Sequence, residues 1–188
     1  KRTEGMDTLL SEKIDSRELY GITGIQEQSY NTIYQLLADQ VMRPDLLERA
    51  RTFLSMPDYF GFYLTGRKAN EYTECTTSGL VDAESGNWNR ELIRRLGLPQ
   101  EIFLDLLPAG SVLGQLRPEI AAEVGYDCSF IACASHDTAS AVMSMPDPSG
   151  KGLYISSGTW SLMGVESEKA VTDEEAHAGG FTNEGGYG

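Results

Sequence analysis

The sequence has few basic residues, and this scarcity limits what the protein can bind. Its 15 lysines and arginines are outnumbered by 28 acidic residues, so the formal net charge of the 188 residues is −13. The acidic residues are spread along the chain, and their field repels nucleic acid and anionic membrane surfaces. We therefore expect no nucleic-acid partner and no membrane partner. Any phosphate site must be built locally from backbone N–H groups and metal ions.

Cysteine is also scarce, and long apolar runs are absent. The three cysteines, Cys75, Cys128 and Cys133, form no C-x-x-C pair, and they are expected to be small buried side chains in a reducing cytoplasm. The chain has no H-x-x-x-H or D-x-D pattern, so it predicts no tightly held metal. No apolar stretch approaches the length of about 20 residues that a membrane-spanning helix needs.

Two nucleotide-binding motifs are missing as well. The sequence contains neither G-x-G-x-x-G nor G-x-x-x-x-G-K-[ST], so a bound nucleotide would be held by neither a dinucleotide fingerprint nor a Walker loop. The chain begins with Lys1 instead of a methionine, and residues 183–188 form no closing element. We expect it to be a piece of a longer protein.

The first two thirds of the chain has the pattern of helices. Apolar residues at helical spacing predict a helix over residues 29–42, and Pro44 and Pro57 each suit the first turn of another. Asn89 suits the N-cap of a further helix, and residues 118–125 predict one more short helix.

Three further expectations concern packing and helix ends. Residues 1–28 are expected to be irregular, because they lack a clear helical pattern. Thr172 with Glu175 fits a capping box for a short helix near the end of the chain. The helix after Pro57 carries four aromatic residues that most simply belong to the core: Tyr59, Phe60, Phe62 and Tyr63.

The pattern changes at Ser129. Residues 129–135 are an apolar run that fits a buried strand, and residues 137–145 predict a helix of small residues. Residues 146–152 are rich in proline, glycine and serine and are the best linker candidate. Two short strands around a Ser-Gly-Thr turn follow, which predicts a hairpin. A domain boundary is therefore expected near residues 146–151.

Asp137 is the first candidate for chemistry. It follows an apolar run and precedes a helix, and open α/β sheets bind ligands beyond the carboxyl ends of their strands. A helix N-terminus favours negative charge, so this carboxylate suits a proton acceptor. The alternative is that Asp137 is only an N-cap, where aspartate is common. His136 is either a second contact to a substrate hydroxyl or a partly buried histidine oriented by its neighbours.

The turn over residues 156–161 is the second candidate. Gly158 would let the backbone approach a ligand, and successive N–H groups there could bind an anion. The alternative is an ordinary hairpin loop. Because the linker separates Asp137 from Thr159, the two would lie on opposite sides of a domain junction, where clefts form.

Several segments, in this order, resemble the FGGY family of carbohydrate kinases: MPDYFGFYLTG, EYTECTTSGLVDAESGNWNRELIRRLGLP, LLPAGSVLGQL, ASHDTASAV and YISSGTWSLMG. The resemblance covers nearly the whole chain. It implies an α/β fold of the actin/hexokinase-like (ribonuclease H-type) class, with two such domains around a cleft for ATP and a sugar. This chain would be a helix-rich part of that fold. SHDTASAV and SSGTWSLMG are narrower and resemble the members that phosphorylate the ketose L-rhamnulose on O1.

The resemblance also implies roles for individual residues. Asp137 matches the catalytic base of the family, and His136 and Thr138 match contacts to the sugar. Gly158 and Thr159 match a phosphate loop that meets ATP, which the family uses together with Mg²⁺.

The same resemblance implies a domain division. Residues 1–146 would be the second part of the N-terminal kinase domain, and residues 147–188 would be the linker and the start of the C-terminal one. The first phosphate loop would precede Lys1 and the adenine pocket would follow Gly188, so this chain alone is expected to be inactive. Two alternatives stay open: a kinase of L-fuculose or another sugar, and an actin-fold sugar-binding module without turnover. The sequence does not predict the oligomeric state.

Overall fold

The computed structural model describes residues 2–147, 149 and 151–186, so Pro148 and Gly150 of the predicted linker lie outside the described residues. The helices are α1 (Met6–Ser11), α2 (Ser16–Thr23), α3 (Thr32–Met42), α4 (Pro44–Arg49), α5 (Met56–Thr65), α6 (Tyr72–Thr76), α7 (Arg90–Leu96), α8 (Pro118–Val124), α9 (Asp137–Met143) and α10 (Glu174–Ala178). The strands are β1 (Asn70–Glu71), β2 (Leu106–Leu107), β3 (Val112–Gln115), β4 (Ser129–Ile131), β5 (Leu153–Ser157) and β6 (Ser161–Val165). In the described part of the chain, no helix is long and apolar enough to cross a lipid bilayer.

Local sequence signals account for the ends of several helices. Ser55 and Asp58 form a capping box at the start of α5. The side chain of Asn89 accepts a hydrogen bond from the Leu92 amide at the start of α7, which confirms the predicted N-cap. These polar residues satisfy amide groups that the first turn of a helix leaves unpaired.

Two predictions about helices are wrong. Residues 1–28 contain α1 and α2, and Asp15 caps α2 by accepting from the amides of Arg17 and Glu18. At the other end of the chain, α10 is capped by Asp173 and not by Thr172. The predicted capping box does not form, because Asp173 accepts from the amide of Ala176, whose side chain cannot return a hydrogen bond.

The main apolar core lies between α1, α2, α3 and α7 and the segment that follows α6. Burial of each large aliphatic side chain stabilises the fold by about 1.5–3 kcal/mol. The core continues through Trp88, whose ring lies 4.9 Å from that of Phe103. The most deeply buried aliphatic residues of the core are Leu10, Ile33, Leu37, Leu80, Leu92, Ile93, Leu96 and Ile102.

The described strands pair as three small sheets. β1 and β2 are parallel, and β3 and β4 are antiparallel with an irregular register between Val112 and Gly114. β5 and β6 form the predicted hairpin, in which the pairs run from Leu153 opposite Val165 to Ser157 opposite Ser161. The hairpin ends in the Ser-Gly-Thr turn and β5 packs against α9.

The aromatic residues of α5 were predicted to be core, and for three of them this is wrong. Tyr59, Phe60 and Tyr63 are 48%, 56% and 51% exposed. The helix packs on β3 and β4 through Gly61, where a Cβ atom would lie 3.0 Å from the Leu113 side chain. The close approach through glycine directs the neighbouring aromatic side chains away from the sheet.

The prediction of a buried strand at 129–135 is also only partly correct. β4 pairs on one side with β3, and Ile131 is 54% exposed. The buried residues of this run, Ala132 and Ala134, come after the strand. Of the cysteines, Cys75 is buried as expected, but Cys128 and Cys133 are exposed.

Candidate active site

The loop between β4 and α9 carries Ser135, His136 and Asp137, and its backbone is fixed to the start of α6. The amide and the hydroxyl of Ser135 donate hydrogen bonds to Oε2 of Glu71, at 3.1 and 2.6 Å. The next amide, that of His136, donates to the hydroxyl of Thr73 at 3.3 Å. Two successive residues of the loop are therefore held by residues more than 60 positions earlier in the chain.

Glu71 is a buried carboxylate surrounded by hydrogen-bond donors. It is 3% exposed, and besides Ser135 it accepts from the amide and hydroxyl of Thr73 and from the amide of Glu74. Burial raises the pKa of the Glu71 carboxyl, but the hydrogen bonds from Ser135, Thr73 and Glu74 outweigh it and the pKa is lowered overall. Glu71 thus remains negatively charged at neutral pH inside the protein.

A second buried carboxylate, Asp58, supports the first. It accepts hydrogen bonds from the Glu71 amide at 3.0 Å, from the Ser55 hydroxyl at 2.8 Å and from the Asn70 side chain at 3.3 Å. Asn70 is fully buried and accepts a hydrogen bond from the Leu104 amide. Burial raises the pKa of Asp58, although these hydrogen bonds oppose the shift. The network fixes β1, which leads into α6.

Asp137 is the first residue of α9, and its side chain is 98% exposed. His136 occupies the N-cap position, so the alternative that Asp137 is the N-cap is wrong by one residue. Thr138 follows in the first turn and is partly buried. The three predicted sugar-site residues are therefore consecutive at one helix N-terminus, with an accessible carboxylate on a fixed backbone.

His136 lies between two carboxylates. Its Nε2 is 3.9 Å from Oδ1 of Asp137, and its Nδ1 is 3.4 Å from Oε2 of Glu184. The His136 side chain is 17% exposed, and Nδ1 is buried without a well-formed hydrogen bond to any described residue. The His136 side chain is therefore partly buried with Glu184 as a neighbour, and its predicted contact to a substrate hydroxyl stays a prediction.

The segment that carries Glu184 is anchored on both sides. Asn183 donates through its amide and side chain to the Gly24 carbonyl, at 2.8 and 3.1 Å. The amide of Gly185 donates to the Thr76 hydroxyl at 3.0 Å. Both glycines are required here, because a Cβ atom would lie 2.9 Å from Asn183 at Gly24 and 2.6 Å from Thr76 at Gly185. These anchors place Glu184 beside His136.

Acidic groups surround this histidine. Burial raises the pKa of Glu184, and Asp137 raises it further while His136 lowers it. Burial also raises the pKa of Glu74, and His136 opposes that shift as well. His136 and Asp137 therefore interact electrostatically with the carboxyl groups of both Glu74 and Glu184.

Gly158 and Thr159 form the exposed tip of the hairpin. The Gly158 amide donates to the Trp160 carbonyl at 2.7 Å, and the hydroxyls of Ser157 and Ser161 lie 3.2 Å apart. A Cβ atom at Gly158 would meet open space, so a ligand can approach the backbone there. Among the described residues, no hydrogen bond joins this turn to Asp137.

The sequence analysis missed Glu71, Thr73 and Glu184. A glutamate directly before a helix is an uncommon cap, and only the Asn-Glu-Tyr-Thr order at residues 70–73 offered a signal for Glu71. Glu184 lies 48 positions after His136, and nothing in the local sequence connects the two. Over residues 2–147, 149 and 151–186, no group of three or more His, Cys, Asp or Glu side chains is arranged to hold a metal ion.

Comparison with known proteins identifies the family. The sequence profile of the N-terminal domain of the FGGY family of carbohydrate kinases matches residues 1–144. The chain belongs to the FGGY family of carbohydrate kinases. The relatives of this FGGY chain include the rhamnulokinases of Oceanobacillus iheyensis, 48% identical over 98% of the chain, and of Enterobacter sp. (strain 638), 40% identical over 98%. The chain spans 39% and 37% of the length of these relatives.

Solved structures agree on the fold. The FGGY chain is similar to a xylulose kinase from Rhodospirillum rubrum, with a TM-score of 0.79 and 22% identity over 93% of this chain and 36% of the other. A carbohydrate kinase from Novosphingobium aromaticivorans matches with a TM-score of 0.72 and 26% identity over 90% of this chain and 37% of the other. The predicted actin/hexokinase-like sugar-kinase fold, rich in helices over this range, is confirmed.

Proposed function

We propose that the full-length protein containing this chain transfers the γ-phosphoryl group of ATP to the O1 hydroxyl of L-rhamnulose. One observation carries the proposal: relatives named rhamnulokinase match 98% of this chain at 40–48% identity. The geometry supports it, because an accessible carboxylate stands on a backbone that buried residues hold in place.

In this proposal Asp137 accepts the proton of the attacking sugar hydroxyl. The acceptor must lie within about 2.6–3.2 Å of that hydroxyl in the reactive complex. His136 and Thr138, which flank it, bind and orient the sugar. Proton transfer is then coupled to attack on phosphorus, and no covalent intermediate with the protein is needed.

Gly158 and Thr159 would bind the phosphates of ATP. The open space beside Gly158 and the exposed tip of the hairpin suit an approaching phosphate chain. The amide and the hydroxyl of Thr159 would donate hydrogen bonds to its oxygens, while the Gly158 amide keeps its bond to the Trp160 carbonyl. Mg²⁺, entering with ATP, would supply positive charge at the phosphates.

The proposal also includes the domain division. Residues 1–146 would complete the N-terminal domain, and residues 147–188 would hold the linker and the start of the C-terminal domain. Closure about this linker would bring Asp137 and Thr159 together and exclude water. We expect the enzyme to act in the cytoplasm, and residues 1–188 alone to turn over no sugar, because positioning fails without the other phosphate contacts.

A coupled ADP-release assay tests this proposal on the full-length protein. L-rhamnulose, L-fuculose and D-xylulose would each be titrated at saturating Mg²⁺–ATP. We expect the highest kcat/KM with L-rhamnulose. A higher kcat/KM with another ketose would change the assigned substrate but not the proposed reaction. Binding of these sugars without turnover of any of the three would favour a sugar-binding module.

A further inference from the structure

We infer that Glu71 is the residue that positions the loop over residues 135–137, and through it the carboxylate of Asp137. The inference rests on the proposed function, because it gives Glu71 a part in sugar phosphorylation without contact to the substrate. Glu71 is a positioning residue and not a catalytic one.

Hydrogen bonds to one oxygen of Glu71 hold the loop in place. Oε2 of Glu71 accepts from both the amide and the hydroxyl of Ser135, at 3.1 and 2.6 Å. The Thr73 hydroxyl donates to the same oxygen at 2.7 Å and accepts from the His136 amide at 3.3 Å. One buried carboxylate oxygen thus orders the two residues that immediately precede Asp137.

The position of Glu71 is itself fixed, which makes it a firm support. It is 3% exposed, its amide donates to Asp58, and its carboxylate caps α6. The side chain of Asp137, by contrast, is 98% exposed. The position of the Asp137 carboxylate is therefore determined mainly by the backbone. That backbone continues directly from Ser135 and His136, the two residues that Glu71 orders.

Positioning matters for this reaction. Phosphoryl transfer depends largely on holding the hydroxyl, the base and the phosphorus in line. A displacement of about 1 Å can cost about 100-fold in rate. Loosening the loop should therefore lower kcat even if every group that touches the sugar is kept.

Ser135→Ala tests this with little disturbance to α6, because it removes one hydroxyl and leaves Glu71 its bonds to Thr73 and Glu74. Ser78→Ala is the control: Ser78 is buried, whereas Ser135 is partly buried, and the Ser78 hydroxyl accepts from the Leu80 amide at 3.2 Å. Ser135→Thr keeps a hydroxyl and serves as the conservative rescue.

In the full-length protein we expect Ser135→Ala to lower kcat for L-rhamnulose about tenfold or more, with a thermal midpoint no lower than that of Ser78→Ala. Ser78→Ala should keep wild-type kcat, and Ser135→Thr should recover most of it. Wild-type kcat in Ser135→Ala, or an equal loss in Ser78→Ala, would overturn the inference.

Hydrogen–deuterium exchange separates this inference from the proposed function. Amides of residues 133–138 should exchange faster in Ser135→Ala than in the wild type, and this readout needs no turnover. If the wild-type enzyme phosphorylates none of the ketoses, the proposed function fails while faster exchange still supports the anchoring by Glu71. Unchanged exchange would contradict the anchoring whatever the activity.

Discussion

Glu71 and Ser135 are joined by two hydrogen bonds to one carboxylate oxygen, at 3.1 and 2.6 Å, across 64 positions of sequence. The contact ties the loop before α9 to the N-terminus of α6. It also explains why a charged side chain is found in the interior. Burial raises the pKa of Glu71, but the hydrogen bonds donated to its carboxylate outweigh this effect and the pKa is lowered overall. The pair connects a buried residue of the fold to the loop that carries the candidate site.

The first prediction concerns pH. The folded-state pKa of Glu71 lies below its unfolded value, so its contribution to stability is present above the unfolded pKa, about 4.3, and is lost as pH falls. The Ser135 hydroxyl bonds to the ionised form. Ser135→Ala should therefore lower the thermal midpoint more at pH 7 than near pH 4.

Thermal unfolding of the full-length protein at both pH values measures this, with Ser78→Ala as the control. The Ser78 hydroxyl bonds to an amide that does not titrate, so its effect should be similar at both. A Ser135→Ala effect that is as large near pH 4 as at pH 7 would show that the bond does not depend on ionised Glu71.

Thr159 provides a prediction about ATP. If its hydroxyl donates to a phosphate, Thr159→Val removes one hydrogen bond to a charged group, worth about 1.5–3 kcal/mol. KM for ATP should rise more than KM for the sugar. Steady-state kinetics with each substrate varied in turn measures both. Thr159→Ser, which keeps the hydroxyl, should stay near wild type, and an unchanged KM for ATP in Thr159→Val would reduce the turn to an ordinary hairpin loop.

Asn183 provides a prediction about the segment that carries Glu184. Asn183→Ala removes the side-chain bonds to the carbonyls of Gly24 and Val171 and to the Val171 amide. Residues 170–186 should then exchange amide hydrogens faster. KM for the sugar should rise, because Glu184 is no longer held beside His136. Asn87→Ala, at an exposed position, is the control. If the amides of residues 170–186 exchange at the wild-type rate in Asn183→Ala, the anchoring role is contradicted.

Much of the helical framework could be predicted from the sequence. The signals that succeeded are chemical and local, such as the Asn89 cap and the prolines in the first turns of α4 and α5. α1 was missed because its N-cap position, Gly5, supplies no side-chain cap, and α2 was missed because its Asp15 cap was not recognised. The aromatic residues of α5 were misplaced because burial depends on which face a neighbour covers, and Gly61 brings the sheet to another face.

The candidate site was predictable only in part. His136, Asp137 and Thr138 are consecutive, so their proximity required no knowledge of the fold. Glu71 and Glu184 reach the same place from distant segments, and their roles depend on burial and on hydrogen bonds that a local pattern does not contain.

The central claim, that Asp137 accepts the proton from the sugar hydroxyl, is tested most directly by Asp137→Asn in the full-length protein. Asparagine keeps the size of the side chain but cannot accept the proton, and an exposed side chain at this position contributes little to folding. We predict a thermal midpoint and sugar binding close to wild type, with kcat for L-rhamnulose lowered by about 10²–10⁴-fold. A variant that keeps most of its turnover would contradict the account and leave Asp137 as merely the first residue of α9.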